Sequence, residues 1–477
     1  MKVQVLDAIM GYGKSTYAIS TINSELDNYY FVVLPLLDEV ERYKSNCINV
    51  ELVEPSEEET SKSNDLLDII RNRQNVVTTH HLFERLTDEH LSTLRKLPMV
   101  KGEKVLILDE TIDLVRSASD ASLTNKNLRA DRDNGYILVH EGTGKVAWNP
   151  LKNCGYNHHE HLKNLCDTGM LFFLDEEFVV VEVSTEFLSC FDRIIVMTYR
   201  WDSSIMAVQL GQVHGVEVEN LPLMEDRLLE CYRYIADHLV IPDDYCSEDF
   251  KLSWYQMRGR TQEAASLVNK FTKEAMKDYD IPLELTRYTT FKEAHGFDFI
   301  DYFKSVKIGQ WWKRDSKGKT IPASFLSHTA LGTNEHAHCK LMVYGLDKNL
   351  NPGIGRFFSK HDASISYDEW SLSSMLQWLF RGCVRNRDAN EKMIAVIPSP
   401  RMRKMAQDWL AAIAYQAEHG INPYDGAFAR LDRVKRGNVK RAHKGFLKNY
   451  PHASHITLDE FAHKGMAKLK REYKQAA

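Results

Sequence analysis

Ala8–Ile9–Met10–Gly11–Tyr12–Gly13–Lys14–Ser15–Thr16 stands at the end of an apolar, strand-like run and opens a helix-like one. Strand, glycine turn and helix start are the context that a phosphate-binding loop requires. Gly11 and Gly13 can take positive φ, turning consecutive backbone N–H groups inward around an anion, and the helix start adds a partial positive charge. In this pattern Gly11, Tyr12, Gly13, Lys14, Ser15 and Thr16 bind a nucleotide. Lys14 reaches the β- and γ-phosphates, and Ser15 holds Mg²⁺ through its hydroxyl. Ala8 replaces the first glycine of the strict pattern and is small enough for the turn. A second fragment, Gly142–Thr143–Gly144–Lys145, lies between two strand-like runs with no helix start behind it, so it reads as a hairpin turn.

Val105–Leu106–Ile107–Leu108 is an apolar run that ends in Asp109–Glu110. Downstream of a phosphate-binding loop, such an aspartate holds the Mg²⁺ shell, and the adjacent glutamate aligns or deprotonates an attacking water. Gln377, Arg381 and Arg385 follow one another at spacings of four in a helix-like segment that begins near Ser371, which puts all three on one helical face. Two guanidinium groups so aimed could stabilise charge building on a γ-phosphate. A solvent-facing basic stripe fits the same spacing.

The elements that must position these groups alternate in a βα rhythm. Candidate strands are Val3–Ile9, Tyr30–Leu34, Ile48–Val53, Asn75–Thr79, Val105–Leu108, Phe178–Val183 and Ile194–Thr198, most of them separated by helix-like stretches, which predicts a parallel sheet. The rhythm breaks between Ser117 and Asp175, where Tyr136–Trp148 reads as a hairpin, so this stretch is expected to be an insertion. Leu223–Tyr279 is helical in pattern. A second series follows at Thr286–Phe291, Ala323–His328, Cys339–Tyr344 and Met393–Ile397, with helices after Pro400. The domain boundaries expected are 1–215, a helical linker 216–280, 281–410, and a basic helical region 411–477.

With 477 residues, 43% of them hydrophobic and 27% charged, the chain is a multi-domain globular protein, and wholesale disorder is excluded. Lys and Arg number 61 against 66 Asp and Glu, yet residues 430–477 hold 13 against 4, so a basic tail sits on an acidic body. No run of apolar residues suits a membrane span and no leader precedes the first strand, which predicts a soluble, cytoplasmic protein, in the host cytoplasm if phage-encoded. Eight scattered cysteines without a CxxC pair read as reduced thiols, and the Cys154–Cys166 stretch with its three histidines matches no common zinc spacing.

Taken in order, the motifs resemble those of superfamily 2 helicases, most closely the compact helicases of phages and plasmids. Ala8–Thr16 resembles motif I and Val32–Val33–Leu34–Pro35 motif Ia. Val77–Thr78–Thr79–His80 resembles the next strand-end motif. Asp109–Glu110–Thr111–Ile112 stands where motif II falls, and Ile195–Val196–Met197–Thr198–Tyr199 where motif III does. Thr289–Thr290–Phe291–Lys292 resembles motif IV, Ala330–Leu331–Gly332–Thr333–Asn334 motif V, and Gln377–Arg387 motif VI. The resemblance implies an α/β protein with two RecA-like parallel-sheet domains in tandem and ATP, with Mg²⁺, bound between them. Lys14, Ser15, Asp109 and Glu110 would come from the first domain, and Gln377, Arg381 and Arg385 from the second. It implies nucleic-acid contacts at Pro35, Thr78, Thr79, His80, Thr290, Gly332, Thr333 and Asn334, and it makes Thr198 the coupling residue.

The activity this predicts is an ATP hydrolase, a helicase or translocase of phage-type DNA replication or recombination. DNA, single-stranded or forked, is favoured over RNA, with a monomer working without a membrane and other replication proteins as further partners. Two alternatives carry the same loop: a terminase-type packaging motor, and a non-motor binding protein switched by ATP. The tail, Arg430–Lys474, interleaves Lys and Arg with Phe446, Tyr450, Phe461 and Tyr473, a composition that suits phosphate contacts with stacking and equally a solvated amphipathic helix pair.

Overall fold

The computed structural model describes residues 2–57, 61–118, 123–154, 157–248, 252–305, 312–314, 320–322, 324–329, 335–420, 433–450, 456–466 and 469. The chain divides into two units, Met1–Ala8 with Gly13–Pro222 and Leu350–Ile365, and Ile9–Tyr12 with Leu223–Asn349 and Ser366–Ala477.

In the first unit, uninterrupted apolar runs become strands buried on both faces, as parallel sheets demand. They are β1 (Lys2–Asp7), β2 (Tyr29–Leu34), β3 (Leu52–Val53), β4 (Asn75–Thr79) and β5 (Lys104–Asp109). The insertion adds β6 (Val115–Ser117), β7 (Ile137–Val139), β8 (Val146–Trp148), β9 (Leu171–Leu174) and β10 (Phe178–Glu182), after which β11 (Arg193–Thr198) and β12 (Val218–Asn220) return to the main sheet. That sheet has seven strands, all parallel, in the order β12-β1-β11-β5-β2-β4-β3. Alternate residues Val3, Val5, Phe31, Val33, Leu106, Leu108, Ile194 and Val196 enter one core with Ile69 and Ile70 of the helix Lys62–Arg71 and Leu94 of the helix Asp88–Lys96.

Three expected strands differ from what forms. Phe178–Val183 is not in the parallel sheet; as β10 it lies antiparallel between β6 and β9. The connection from β9 is three residues, and a parallel return needs a crossover of a dozen or more. Ile48–Val53 is reduced to the two residues of β3, with Ile48 82% exposed. In the second unit, Ala323–His328 contributes one parallel bridge, between Tyr288 and Phe325. The hairpin expected over Tyr136–Trp148 forms as β7 and β8, closed by the Gly144 N–H donating to the His140 carbonyl at 2.7 Å.

The insertion builds its own core from Leu128, Ile137, Val146, Trp148, Leu162 and Phe173. Its three-stranded sheet receives the helix Pro352–Lys360 from far along the chain. Phe357 packs edge-on against Phe172 with ring centroids 4.9 Å apart, and Arg356 and Lys360 both engage Asp175, Lys360 at 3.3 Å. Gly353 permits the approach: a Cβ there would stand 2.9 Å from the Cβ of Phe178.

The second unit holds a four-stranded parallel sheet made from β13 (Leu239–Val240) and β14 (Thr286–Thr289). Two hairpins follow, β15 (Glu293–Ala294) with β16 (Phe297–Asp298) and β17 (Trp312–Arg314) with β18 (Thr320–Pro322). The sheet is completed by β19 (Leu341–Tyr344) and β20 (Met393–Val396) in the order β13-β20-β19-β14. The stretch 216–280, expected as a linker, is part of this unit from Leu223 onward. Ala264, Ala265, Val268, Phe271 and Ala275 of the helix Thr261–Asp278 share a core with Tyr288, Leu341, Val343 and Val396. The helix Pro400–His419 follows, opened by Ser399 accepting from the Met402 N–H and closed by Gly420. Two further helices follow, the basic Arg433–Asn449 and the short Leu458–Lys464. Among the described residues no helix is long and apolar enough to cross a membrane.

The close approach at Gly353 is open to test. Gly353→Ala is expected to cost about 1–3 kcal/mol through overpacking against β10, read as a lower urea midpoint with an unchanged slope.

Candidate nucleotide site

Parallel strands deliver all their C-terminal ends to one edge of a sheet, and ligands of α/β proteins bind outside that edge. β11 lies between β1 and β5, with Asp7 paired to Thr198 and Met197 paired to Asp109. The register therefore brings the loop after Asp7, the Thr198 hydroxyl and the Asp109–Glu110 pair to one place.

Gly11 and Gly13 both have left-handed φ, 81° and 101°, and the helix Lys14–Ser24 starts immediately after them. The Lys14 ammonium donates to the Ala8 carbonyl at 2.6 Å, so the lysine folds back over its own loop. Ser15 Oγ donates to Asp109 Oδ2 at 3.5 Å. Thr16, one residue further into the helix, is exposed. Tyr12 is buried, and its hydroxyl accepts the Met224 N–H at 2.7 Å within the second unit.

Asp109 is buried at the end of β5, and its carboxyl is pushed up to about 7, first by burial and then by the adjacent charge of Glu110, while Lys14 acts in the opposite direction. Glu110 has a left-handed φ of 76°, uncommon for a side chain with a Cβ and costing on the order of 1–2 kcal/mol. It is held there by its N–H donating to the Met197 carbonyl at 2.9 Å and by its carboxylate accepting the Thr198 hydroxyl at 3.3 Å. A buried carboxylate with a raised pKa beside a serine hydroxyl is an oxygen-only donor set, which fits a hard divalent cation such as Mg²⁺.

Several residues around this site carried no motif. Asp7 accepts the N–H groups of Arg200 at 2.6 Å and Trp201 at 3.0 Å, and burial raises its carboxyl. On the helix Leu37–Asn46, Glu39, Arg42 and Tyr43 share one face by their three- and four-residue spacing. Glu39 and Arg42, paired at 2.9 Å, act on Asp109 with opposite sign. The Tyr43 phenol is raised well above its usual range by burial and then by the charge of Asp109. The sequence signal was the three- and four-residue spacing of Glu39, Arg42 and Tyr43.

The positions expected to touch nucleic acid separate into groups. Pro35 is half-buried just after β2, and Thr79 is half-buried at the end of β4. Thr78 is buried. His80 is buried too, its Nε2 bonding the Asp109 carbonyl at 2.9 Å and its pKa lowered by burial. In this structure it braces the acidic strand and offers no surface to a polymer. Thr290 is 1% exposed and donates to the Phe291 carbonyl at 3.0 Å. Gly332, Thr333 and Asn334 lie outside the described residues.

The shared helical face for Gln377, Arg381 and Arg385 does not form. The helix Tyr367–Leu379 stops after Gln377, with the Phe380 N–H closing on the Leu376 carbonyl. Arg381 sits in the turn that follows, 5% exposed, and Arg385 ends a 3-10 turn, Cys383–Arg385. Close packing at Gly382 forces the break: a Cβ there would stand 2.9 Å from Met342 Cγ, and the Cys383 N–H donates to the Cys339 carbonyl at 2.8 Å. Arg387, next along, engages the Cys231 sulfur and lies over the Tyr234 ring.

Near β14, His328 lies edge-on to Phe291 with ring centroids 5.9 Å apart. Burial, reinforced by Lys348 and Lys292, pushes its imidazole down to about 4.

Residues 234–410 match the model of the YonV C-terminal Rossmann-like domain, a span that contains all four strands of the second unit's parallel sheet. The chain is 27% identical over 447 residues to the SPbeta prophage-derived uncharacterized protein YonV of Bacillus subtilis (strain 168), covering 86% of this chain and 98% of that protein. Among solved structures, S. tokodaii Xpd4 is similar at 10% identity and a TM-score of 0.37, with 88% of this chain and 95% of the other covered.

Two measurements follow from the strain and the titration. Glu110→Gly frees the left-handed position and is expected to raise the unfolding free energy by up to about 1 kcal/mol in urea titrations. A marked loss would mean that the carboxylate contact outweighs the backbone term. His328 has a folded pKa below its unfolded value near 6.5, so the unfolded state binds more protons between the two. Stability should therefore be full above about pH 6.5 and fall toward about pH 4. Between pH 7.5 and pH 5 the loss should be on the order of 2 kcal/mol, and His328→Phe should remove that share.

Proposed function

We propose that the protein is an ATP-dependent helicase or translocase that acts on DNA, in phage-type replication or recombination. The observation that carries this reading is the trio of strand ends where Lys14, Ser15, Asp109, Glu110 and Thr198 meet. In it, Lys14 exchanges its bond to the Ala8 carbonyl for the β- and γ-phosphates, trading a neutral acceptor for a charged one. Backbone N–H groups of Gly11–Thr16 cradle the phosphates at the start of the helix. Ser15 and Asp109 are the residues that would hold Mg²⁺, which supplies charge neutralisation at the phosphates.

Glu110 takes the proton of an attacking water, or orients that water. Its backbone and its bond to Thr198 fix the carboxylate before the nucleotide arrives, so the reaction requires little reorganisation. Thr198 is bonded to the same carboxylate and sits on the strand between the loop and the acidic pair. That supports the coupling role. Gln377, Arg381 and Arg385 are assigned to the same nucleotide, with Arg381, already buried and held by its turn, the more constrained of the two arginines. The relationship to a prophage-derived protein over 86% of the chain fits a phage setting.

The test is ATP hydrolysis by the purified protein with and without single-stranded DNA. Stimulation by DNA is expected, and its absence with any nucleic acid would sink the motor reading. Lys14→Ala should lower turnover roughly 10²–10³-fold, the scale of removing one charge-stabilising donor. Glu110→Gln should lower it roughly 10²–10⁴-fold while nucleotide binding is kept. Strand displacement on forked duplexes separates a motor from an ATP-switched binding protein, which would bind tightly and displace nothing.

A further inference from the structure

The helices Arg433–Asn449 and Leu458–Lys464 close an apolar cluster of their own. Phe446, Ile456, Phe461 and Leu469 are each at most 3% exposed. Phe446 stacks on Tyr450 at 5.0 Å and packs against Phe461 at 5.6 Å, and His443 Nε2 bonds the Ile456 carbonyl at 2.6 Å. Thr457 caps the second helix by accepting the Glu460 N–H at 3.1 Å. The apolar side of the first helix is thus satisfied from within the segment.

The rest of that helix is strongly basic. The helix Arg433–Asn449 has seven Lys or Arg and no Asp or Glu. At about 100° per residue, sequence positions Arg433, Arg436, Lys440, Arg441, Lys444 and Lys448 share an arc of roughly 140°, centred about 150° around the helical wheel from position 446. Lys444 and Lys448 are exposed. Arg436, Lys440, Lys444 and Lys448 succeed one another four residues apart, and each such like-charge pair disfavours the helix by about 0.2–0.5 kcal/mol. No carboxylate on the helix offsets them. A stripe that works against its own helix is relieved by an external polyanion, which removes the repulsion and releases counterions.

We propose that this stripe is a docking track for the phosphate backbone of a polynucleotide, separate from the nucleotide loop and independent of hydrolysis. It rests on the polynucleotide reading of the chain but not on turnover. Contacts of this kind carry no base specificity, so the track holds a strand in any sequence and keeps it near the protein between catalytic cycles.

The test uses the full chain and a labelled oligothymidylate across a salt series. For Lys444→Gln with Lys448→Gln, the slope of log K against log salt should become shallower by about 1.4, from about 0.7 per lost phosphate contact on a single strand. Affinity near 0.1 M salt should weaken on the order of tenfold. Lys444→Arg with Lys448→Arg should retain wild-type binding. The same loss should appear in a Lys14→Ala background, where hydrolysis is removed, so failure of the motor reading and failure of the track are read separately. An unchanged slope and affinity in the Gln pair overturns the proposal. So does absence of oligothymidylate binding by the wild type, or an effect confined to binding of phosphatidylglycerol vesicles.

Discussion

Asp109 is a carboxylate that the fold buries at the end of an apolar strand, and the C-terminal edge of the first sheet is organised around that cost. Burial of an ionised group is tolerated only where cations or donors compensate it. Here three elements converge on it. The first helix supplies Lys14 and the Ser15 hydroxyl, the next supplies Arg42 with its partner Glu39, and β4 leads into His80, which holds the Asp109 backbone. Even so the carboxyl stays well above its ordinary range, first because it is buried and then because Glu110 adds a second negative charge next door. The edge is thus left short of positive charge.

Topology makes that concentration possible. Strands β1, β11 and β5 are far apart in sequence yet adjacent in the sheet, and the parallel register aligns their ends to within one residue pair. An antiparallel sheet would send alternate ends to opposite edges and could not gather a loop, a hydroxyl and two carboxylates at one rim. The interposed strand matters most. Because β11 sits between the loop strand and the acidic strand, Thr198 reaches Glu110 directly, and the left-handed backbone at Glu110 is what turns its carboxylate toward that hydroxyl.

The main sheet was legible because its strands are short, continuous apolar runs, and Asn75–Thr79 matches β4 residue for residue. The placement of the loop and of the acidic pair was legible because glycines stand immediately before a helix start at Lys14 and a continuous apolar run ends in Asp109. Periodicity misled in two places. Phe178–Val183 has the composition of a buried parallel strand, but its partner is the neighbouring β9, three residues back, and hairpin proximity overrides composition. Gln377, Arg381 and Arg385 have helical spacing, but the helix ends at Leu379 because Gly382 must pack flat against Met342 and Met393, a contact made with strands that lie distant in sequence. His80 illustrates the same limit from the other side. A strand-end histidine reads as exposed, and only the tertiary fold shows its ring turned onto the Asp109 carbonyl.

The division into units also departs from the linear order, and the reason is a sheet in need of a cover. The insertion between β5 and β11 forms a three-stranded antiparallel sheet with an apolar face at Phe172, and covering such a face removes apolar surface from water. The helix Pro352–Lys360 supplies the cover, with Ile354, Phe357 and Phe358 buried, Gly353 flush against β10, and Arg356 and Lys360 fastened to Asp175 at the β9–β10 turn. That helix lies in the chain between β19 and the helix that carries Gln377. The backbone therefore leaves the second unit after Asn349 and re-enters it at Ser366, having contributed to the first unit in between. The excursion, Leu350–Ile365, spans sixteen residues and carries the covering helix.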